Sequence, residues 1–269
     1  MSLAKKVCEI AVCAGQATLP FYIDEIQHQT KGDGTPVTEA DIVANEIILK
    51  GLRPLSEQLP IISEEEPLPY YAERRHWPTH WLIDPLDGTR GFINLKGEFT
   101  VNIALIDKNQ PIIGVIYAPL EDILYWAVEG ERAYKLRGNQ QIEIISTRKL
   151  QDVSNLQIVT GHYQSFINAR QLIEKITSNA VLQVNSSLKF GVLAEGTADV
   201  YPRFGSTSEW DTAAGQCILE QAGGIVVDLE GRPLRYNVKD SIINSAFVAI
   251  GDATHKNEIL NIIKSRREK

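Results

Sequence analysis

No stretch of this 269-residue chain is apolar for long enough to span a bilayer, so no integral membrane contact is predicted. Cysteine is scarce. Cys8, Cys13 and Cys217 are an odd number without zinc-ligand spacing, which argues against a disulfide framework and suits reduced core thiols in the cytoplasm. Positive charge is in deficit as well. Against 34 Asp and Glu stand 27 Lys and Arg, a formal net charge of −7, and indiscriminate nucleic-acid binding needs the opposite balance. A small anionic ligand is still admissible, provided that cations gather locally to receive it. Internal repeats, low-complexity tracts and flexible linkers are also missing. What is present is ordinary for a globular protein: 43% hydrophobic and 23% charged residues, in a chain long enough to bury a sizeable core.

Near the N-terminus, Lys5 and Lys6 precede an apolar stretch over 7–19 that superficially resembles a signal peptide. Glu9 interrupts it, and Leu3, Val7, Ile10, Ala11, Ala14 and Thr18 recur at helical spacing, so an amphipathic helix running to about Gln27 is predicted. A turn-rich loop over 31–36 leads to a second helix from Thr38, with Ile42, Ile47, Ile48 and Leu52 on its apolar face. Strands are predicted over 59–63, 81–84, 123–128, 133–136 and 142–145, with a hairpin joining 99–107 to 111–118. After residue 150 the pattern alternates. Strands at 156–160, 181–185, 199–204, 225–228 and 246–250 are interleaved with helices at 165–177, 188–195 and 211–222, and a basic helix ends the chain. The expected organisation is therefore α/β in two closely packed subdomains. Residues 1–150 form an α+β part with helices and an antiparallel sheet, and 151–269 form an α/β part.

Candidate chemistry begins where the apolar strand Trp81-Leu82-Ile83 runs into Asp84-Pro85-Leu86-Asp87-Gly88-Thr89. Pro and Gly force a tight turn that aims both carboxylates and the Leu86 carbonyl at one spot. Two carboxylates about 4 Å apart repel by roughly 4 kcal/mol at an effective dielectric near 20, and a cation is the usual remedy. An all-oxygen set suits hard ions such as Mg²⁺. The same residue types also make plain turns. Glu64-Glu65-Glu66 repeats the layout of a strand end followed by acids, so Glu64 is a further candidate ligand, although three adjacent acids commonly form a solvated loop. Asp41, three residues after Thr38, fits a helix capping box, and Asp211 after Trp210 fits a helix N-cap. Either position would also place a carboxylate near a phosphate-binding helix terminus.

Five blocks together resemble the inositol monophosphatase-like superfamily: Val37-Thr38 leading to Asp41, Ser63-Glu64-Glu65, D-P-L-D-G-T over 84–89, A-E-G-T-A-D over 194–199 and W-D-T-A-A-G over 210–215. They occur in the family's order along essentially the whole chain. Within the superfamily the chain most resembles the CysQ-type 3'(2'),5'-bisphosphate nucleotidases. This rests on Arg90-Gly91-Phe92-Ile93, the block over 97–107, Ile116-Tyr117-Ala118-Pro119, Ser186-Ser187-Leu188-Lys189-Phe190 and Tyr201-Pro202-Arg203-Phe204-Gly205.

The resemblance implies a layered αβαβα sandwich of the inositol monophosphatase/fructose-bisphosphatase type. It implies two or three Mg²⁺ ions held by Glu64, Asp84, Asp87, Asp211 and the Leu86 carbonyl. Thr89 paired with Asp41 would orient the attacking water, and Glu64, Leu86, Asp87, Gly88, Thr89, His162, Ser186, Lys189, Arg203 and Asp211 would meet the substrate. The implied reaction is Mg²⁺-dependent, lithium-sensitive hydrolysis of 3'-phosphoadenosine 5'-phosphate, a by-product of sulfate assimilation, to AMP and phosphate. The implied enzyme is cytoplasmic, free or peripheral to the inner membrane. Hydrolysis of an inositol monophosphate on the same metal core, or a non-catalytic metal- or nucleotide-binding module, are the competing readings.

Overall fold

The computed structural model describes residues 2–23, 26–32, 34, 36–55, 59–161 and 181–265. The helix expected over 165–177 and the candidate residue His162 lie outside them. Helix α1 (Leu3–Thr18) starts where the Ser2 hydroxyl accepts the Lys5 N–H, and it buries Val7, Ala11, Ala14 and Thr18. It ends well before residue 27, because Pro20 converts the chain to a 3-10 turn over Leu19–Phe21. The hairpin β1 (His28–Thr30) and β2 (Pro36–Thr38) leads into α2 (Glu39–Leu52). Contrary to expectation, Ile42 is on the solvent side of α2, 49% exposed, and the buried stripe is Ala40, Ala44, Ile48 and Leu52. Ile48 and Leu52 are buried as expected and Ile47 is partly so.

Strand β3 (Ile61–Ser63), the short helix α3 (Tyr71–Arg74), β4 (Thr79–Asp87) and the one-turn helix α4 (Thr89–Ile93) follow. Then come β5 (Thr100–Asp107), β6 (Gln110–Ala118), β7 (Ile123–Val128), β8 (Ala133–Arg137) and β9 (Glu143–Ile145). Strands β3 to β9 form a seven-stranded sheet in sequence order, antiparallel except for the parallel pair β3–β4. The two-residue period divides its faces. Trp81, Ile83, Val101, Ile103, Leu105, Val115 and Tyr117 pack on α1 and α2. Their neighbours Leu82, Ala104, Ile106, Ile116 and Ala118 face the other way, into a second core.

The second half supplies the remaining layers. Strands β10 (Val159–Thr160) and β11 (Leu182–Gln183) pair in parallel and are shorter than expected. Helix α5 (Leu188–Ala194), β12 (Val200–Arg203), α6 (Ala213–Gln221), β13 (Ile225–Asp228), β14 (Phe247–Ile250) and α7 (Lys256–Lys264) complete the described chain. The second sheet is antiparallel, in the order β12-β14-β13. Phe247 and Ala249 join the core shared with α5, α6 and the large sheet, whereas Val248 and Ile250 pack on Ile259, Leu260 and Ile263 of α7. The order α1/α2, large sheet, α5/α6, small sheet, α7 is the expected αβαβα sandwich. Gly114 permits one of its close approaches: a Cβ there would come within 2.3 Å of the Ala214 carbonyl oxygen, so any larger residue would push α6 off the sheet. No helix among the described residues is long and apolar enough to cross a membrane. All three cysteines are free thiols, but Cys13 is exposed rather than part of the core.

Candidate active site

Strand β4 delivers the first acids. Its pairing with β5 slips between Asp84 and Asp87, so Pro85 and Leu86 bulge and both aspartates are re-aimed at the strand end. The Leu86 N–H closes onto Asp84 Oδ1 at 3.0 Å. Gly88 then turns the chain at φ +100°, in the left-handed region, where a Cβ would press on the Glu98 carbonyl at 3.3 Å. Parallel β3 ends alongside, and the Glu64 N–H extends its ladder to the Ile83 carbonyl at 3.2 Å. Asp211 arrives from the other half, in a 3-10 turn over Glu209–Asp211. It is not the N-cap: Ser208 is, and the Ser208 N–H donates to Asp211 Oδ2 at 2.8 Å.

Carboxylate oxygens of Glu64, Asp84 and Asp211 all lie within 4.8 Å of one another. Burial pushes the Asp84 carboxyl well above its usual range, and the charges of Glu64, Asp87 and Asp211 push it further. Asp211 is raised well above its usual range, first by burial and then by Asp87 and Glu64. Glu64 is raised chiefly by burial, against the pull of Lys31. Asp84 Oδ2 is buried without a hydrogen-bond partner among the described residues. An orphaned carboxylate oxygen among mutually repelling acids fits a hard divalent cation such as Mg²⁺. Of the three adjacent glutamates, Glu64 and Glu65 are half-buried and only Glu66 is exposed. Lys31 Nζ bridges Glu64 at 3.0 Å and Glu65 at 2.7 Å, and Glu66 accepts from Asn45 at 2.8 Å.

Asp41 makes the contacts that both of its expected roles require. Its Oδ2 accepts from the Thr38 N–H at 2.8 Å and the Thr38 hydroxyl at 2.6 Å, as a cap. Its Oδ1 lies 3.2 Å from the Thr89 hydroxyl, which is equally close to the Leu86 carbonyl. That hydroxyl has one hydrogen for two acceptors. Given to Asp41, it leaves the Leu86 carbonyl lone pairs free. Burial raises the Asp41 carboxyl, and the hydrogen bonds from Thr38 and Thr89 oppose the shift.

A cavity of about 170 Å³ opens beside the acids, and its lining includes Asp87, Gly88 and Asp211. Ser186, Lys189 and Arg203 line the same cavity, and Glu64, Asp84, Leu86, Thr89 and Asp41 connect to its acids through the carboxylate cluster and the Thr89 hydroxyl. Lys189 is buried rather than on an exposed helix face. Its ammonium donates to the Ser186 carbonyl, sits 5.2 Å from the centre of the Tyr201 ring and is lowered to about 8 by desolvation. Arg203 pairs with the Ser206 carbonyl at 2.9 Å rather than with an acid, and its buried Nε has no partner among the described residues. The Ser186 hydroxyl turns to the Asn185 carbonyl. A larger cleft of about 740 Å³ between α1 and strands β6–β8 presents mainly apolar side chains such as Leu3, Val12 and Trp126 and lies away from the acid cluster.

Sequence reasoning missed Ser187 as a junction. Its hydroxyl lies 2.8 Å from Asp87 Oδ2 and 2.7 Å from the Asp211 carbonyl, and it receives the Asn102 amide at 2.9 Å. One signal was available: Asn102 is an amide in an otherwise apolar central strand. Nothing local marked Lys31.

With this geometry in view, the comparisons with known proteins are decisive. Residues 2–268 match the Inositol monophosphatase family. The chain belongs to that family. A 3'(2'),5'-bisphosphate nucleotidase CysQ of Shigella flexneri is 41% identical over 247 residues, covering 90% of this chain and 97% of the relative. A protein of the same name from Buchnera aphidicola is 42% identical over 250 residues, covering 91% of this chain and 92% of its own length. Among solved structures, CysQ from Bacteroides thetaiotaomicron superposes with a TM-score of 0.78 at 36% identity, covering 92% of this chain and 96% of that one. The Thermotoga maritima IMPase matches with a TM-score of 0.79 at 22% identity, covering 97% and 96%, a likeness of fold.

Proposed function

We propose that this family member is a 3'(2'),5'-bisphosphate nucleotidase that hydrolyses 3'-phosphoadenosine 5'-phosphate to AMP and phosphate. The observation that carries the reading is a cavity lined both by acids, Asp87 and Asp211, the latter clustered with Glu64 and Asp84, and by two cations, Lys189 and Arg203. That arrangement suits a substrate with two phosphates. The names of the relatives that cover nearly the whole chain support it.

In this reading Glu64, Asp84, Asp87, Asp211 and the Leu86 carbonyl hold two or three Mg²⁺ ions. Bound Mg²⁺ neutralises the phosphoryl oxygens and lowers the pKa of a bound water. Asp41 takes the hydrogen bond from the Thr89 hydroxyl, so that the Thr89 oxygen accepts from the attacking water and aims it. The water oxygen bonds to phosphorus as the bond from phosphorus to the ribose 3'-oxygen breaks; one water proton stays with the phosphate, the other passes through solvent to the departing oxygen to give the 3'-hydroxyl, and the Gly88 and Thr89 N–H groups receive the phosphate. The reading also assigns most metal ligands to residues 1–150, and the distal contacts with Asp211 to 151–269. Lys189, Arg203, Ser186 and His162 meet the distal part of the nucleotide. It places the enzyme in the cytoplasm, free or peripheral to the inner membrane.

Phosphate release from a panel of bisphosphate nucleotides and inositol monophosphates, with Mg²⁺ and with a chelator, tests it. Mg²⁺-dependent turnover highest on the bisphosphate nucleotide is expected. Preference for inositol monophosphate would replace the substrate, and no turnover on any phosphate ester would leave a binding module.

A further inference from the structure

The cavity beside the acid cluster has a third cation in its lining. Arg90 belongs to α4, the turn that carries Thr89, and shares the cavity wall with Asp87, Lys189 and Arg203. The other two cations are engaged in whole or in part: the Lys189 ammonium with the Ser186 carbonyl and the Tyr201 ring, and one terminal nitrogen of Arg203 with the Ser206 carbonyl, its Nε being without a partner among the described residues. Arg90 is not. Its side chain is exposed, and among the described residues the guanidinium has no hydrogen-bond or ion-pair partner.

An exposed, unpartnered arginine is commonly just solvated, but its backbone is pinned here. The next residue, Gly91, is buried and lines the cavity beside Asn185; its N–H donates to the Gly88 carbonyl at 2.8 Å and its carbonyl accepts from the Lys96 N–H at 3.0 Å. The turn is thus seated against the cavity wall with its guanidinium unspent. Chemistry separates the three cations further. Lysine offers a point charge, and burial already lowers Lys189 to about 8. A guanidinium stays charged at any working pH and offers a planar fork that fits two phosphate oxygens at once.

We propose that Arg90 is a specificity-determining residue of this site, its guanidinium engaging the second phosphate of the substrate together with Lys189 and Arg203. The proposal rests on the bisphosphate nucleotidase reading and adds to it the group that tells two phosphates from one. Among the described residues Arg90 makes no hydrogen bond or ion pair with the acid cluster, so on this proposal its effect belongs to substrates that carry the distal charge.

Steady-state kinetics of the full chain with Mg²⁺ test this, comparing 3'-phosphoadenosine 5'-phosphate with adenosine 3'-monophosphate for the parent protein, Arg90→Ala, Arg90→Lys and Arg53→Ala. Arg53 is exposed on the turn after α2, outside the cavity, and controls for net charge. Arg90→Ala is expected to lower kcat/KM on the bisphosphate about ten- to a hundredfold, chiefly through KM, and on the monophosphate by less than about threefold. Arg90→Lys should recover part of the loss, because it restores charge without the fork. Arg53→Ala should alter neither substrate. Rising KCl should weaken bisphosphate turnover more steeply in the parent than in Arg90→Ala. Equal losses on both substrates, or an unchanged preference for the bisphosphate in Arg90→Ala, would overturn the assignment of Arg90 while leaving the nucleotidase reading intact. A parent protein that hydrolyses neither nucleotide would overturn both.

Discussion

The Thr89 hydroxyl meets Asp41 Oδ1 at 3.2 Å across 48 residues of sequence, while the other oxygen of the same carboxylate holds the Thr38 N–H at the start of α2. One side chain therefore ends a helix and orients a hydroxyl in the candidate active site. The two roles separate on mutation. Asp41→Asn keeps an acceptor for Thr38 and should cost at most about 1 kcal/mol of stability. Turnover should fall far more than stability does. A double-mutant cycle with Thr89→Ala should be strongly non-additive, because either change breaks the same pair. Small, additive effects on kcat would leave Asp41 as a cap alone.

In the proposed function Asp87 is a metal ligand, and in the structure its carboxylate accepts from the Ser187 hydroxyl at 2.8 Å. Asp87→Asn keeps that hydrogen bond and the shape of the bulge but removes a charge from the cluster. A loss of at least about a hundredfold in rate is expected, with a higher Mg²⁺ requirement. Near-parental turnover by a folded Asp87→Asn protein would reduce the loop to a turn. The family resemblance adds that Li⁺ inhibits and that Ca²⁺ does not support turnover, both readable in the same assay.

Stability should depend on pH in an unusual direction. Glu64, Asp84 and Asp211 are all raised in the fold, and burial raises Glu209, next to Asp211, from 4.5 to about 7. A raised acid binds its proton more tightly folded than unfolded. Its contribution is complete below the unfolded value and is lost as pH climbs through the folded one. The chelated protein should therefore lose stability as pH rises from 4.5 to about 7, and Mg²⁺ should restore most at the upper end. Thermal unfolding across that range, with and without Mg²⁺, reads both effects. Glu209→Gln should flatten part of the slope. A chelated protein whose Tm rises steadily over the window would contradict the burial argument.

Distal recognition should separate from metal chemistry. Lys189→Ala and Arg203→Ala should each weaken bisphosphate turnover by about 1.5–3 kcal/mol, the range for hydrogen bonds to charged groups, and change hydrolysis of a single-phosphate substrate much less. Lys189 also carries a packing role against Tyr201, so its variant needs a stability measurement beside the kinetics. Equal losses on both substrates would assign these residues to the fold or the metal core.

Local chemistry made much of this protein legible from sequence. The apolar runs of β4, β5 and β6, with the turn between the last two, announced strands of an antiparallel sheet. Asp84-Pro85-Leu86-Asp87-Gly88 announced a tight turn of acids, because Pro, Gly and backbone sterics act over a few residues. Helix ends were less legible: Pro20 closed α1 early, and Ile42 fell outside the buried stripe because the facing layer, not periodicity, chooses which side is covered. The site itself was decided by tertiary structure. Folding selected Glu64 of three adjacent glutamates for the cluster with Asp84 and Asp211, left Glu65 to Lys31, and buried Lys189 beneath Tyr201. Ser187 was joined to Asp87 across 100 residues. Those choices depend on how two sheets and the helices between them stack. The sequence by itself determined which residues could ligate or polarise, whereas burial and proximity, which set their charge and partners, existed only once the layers had closed.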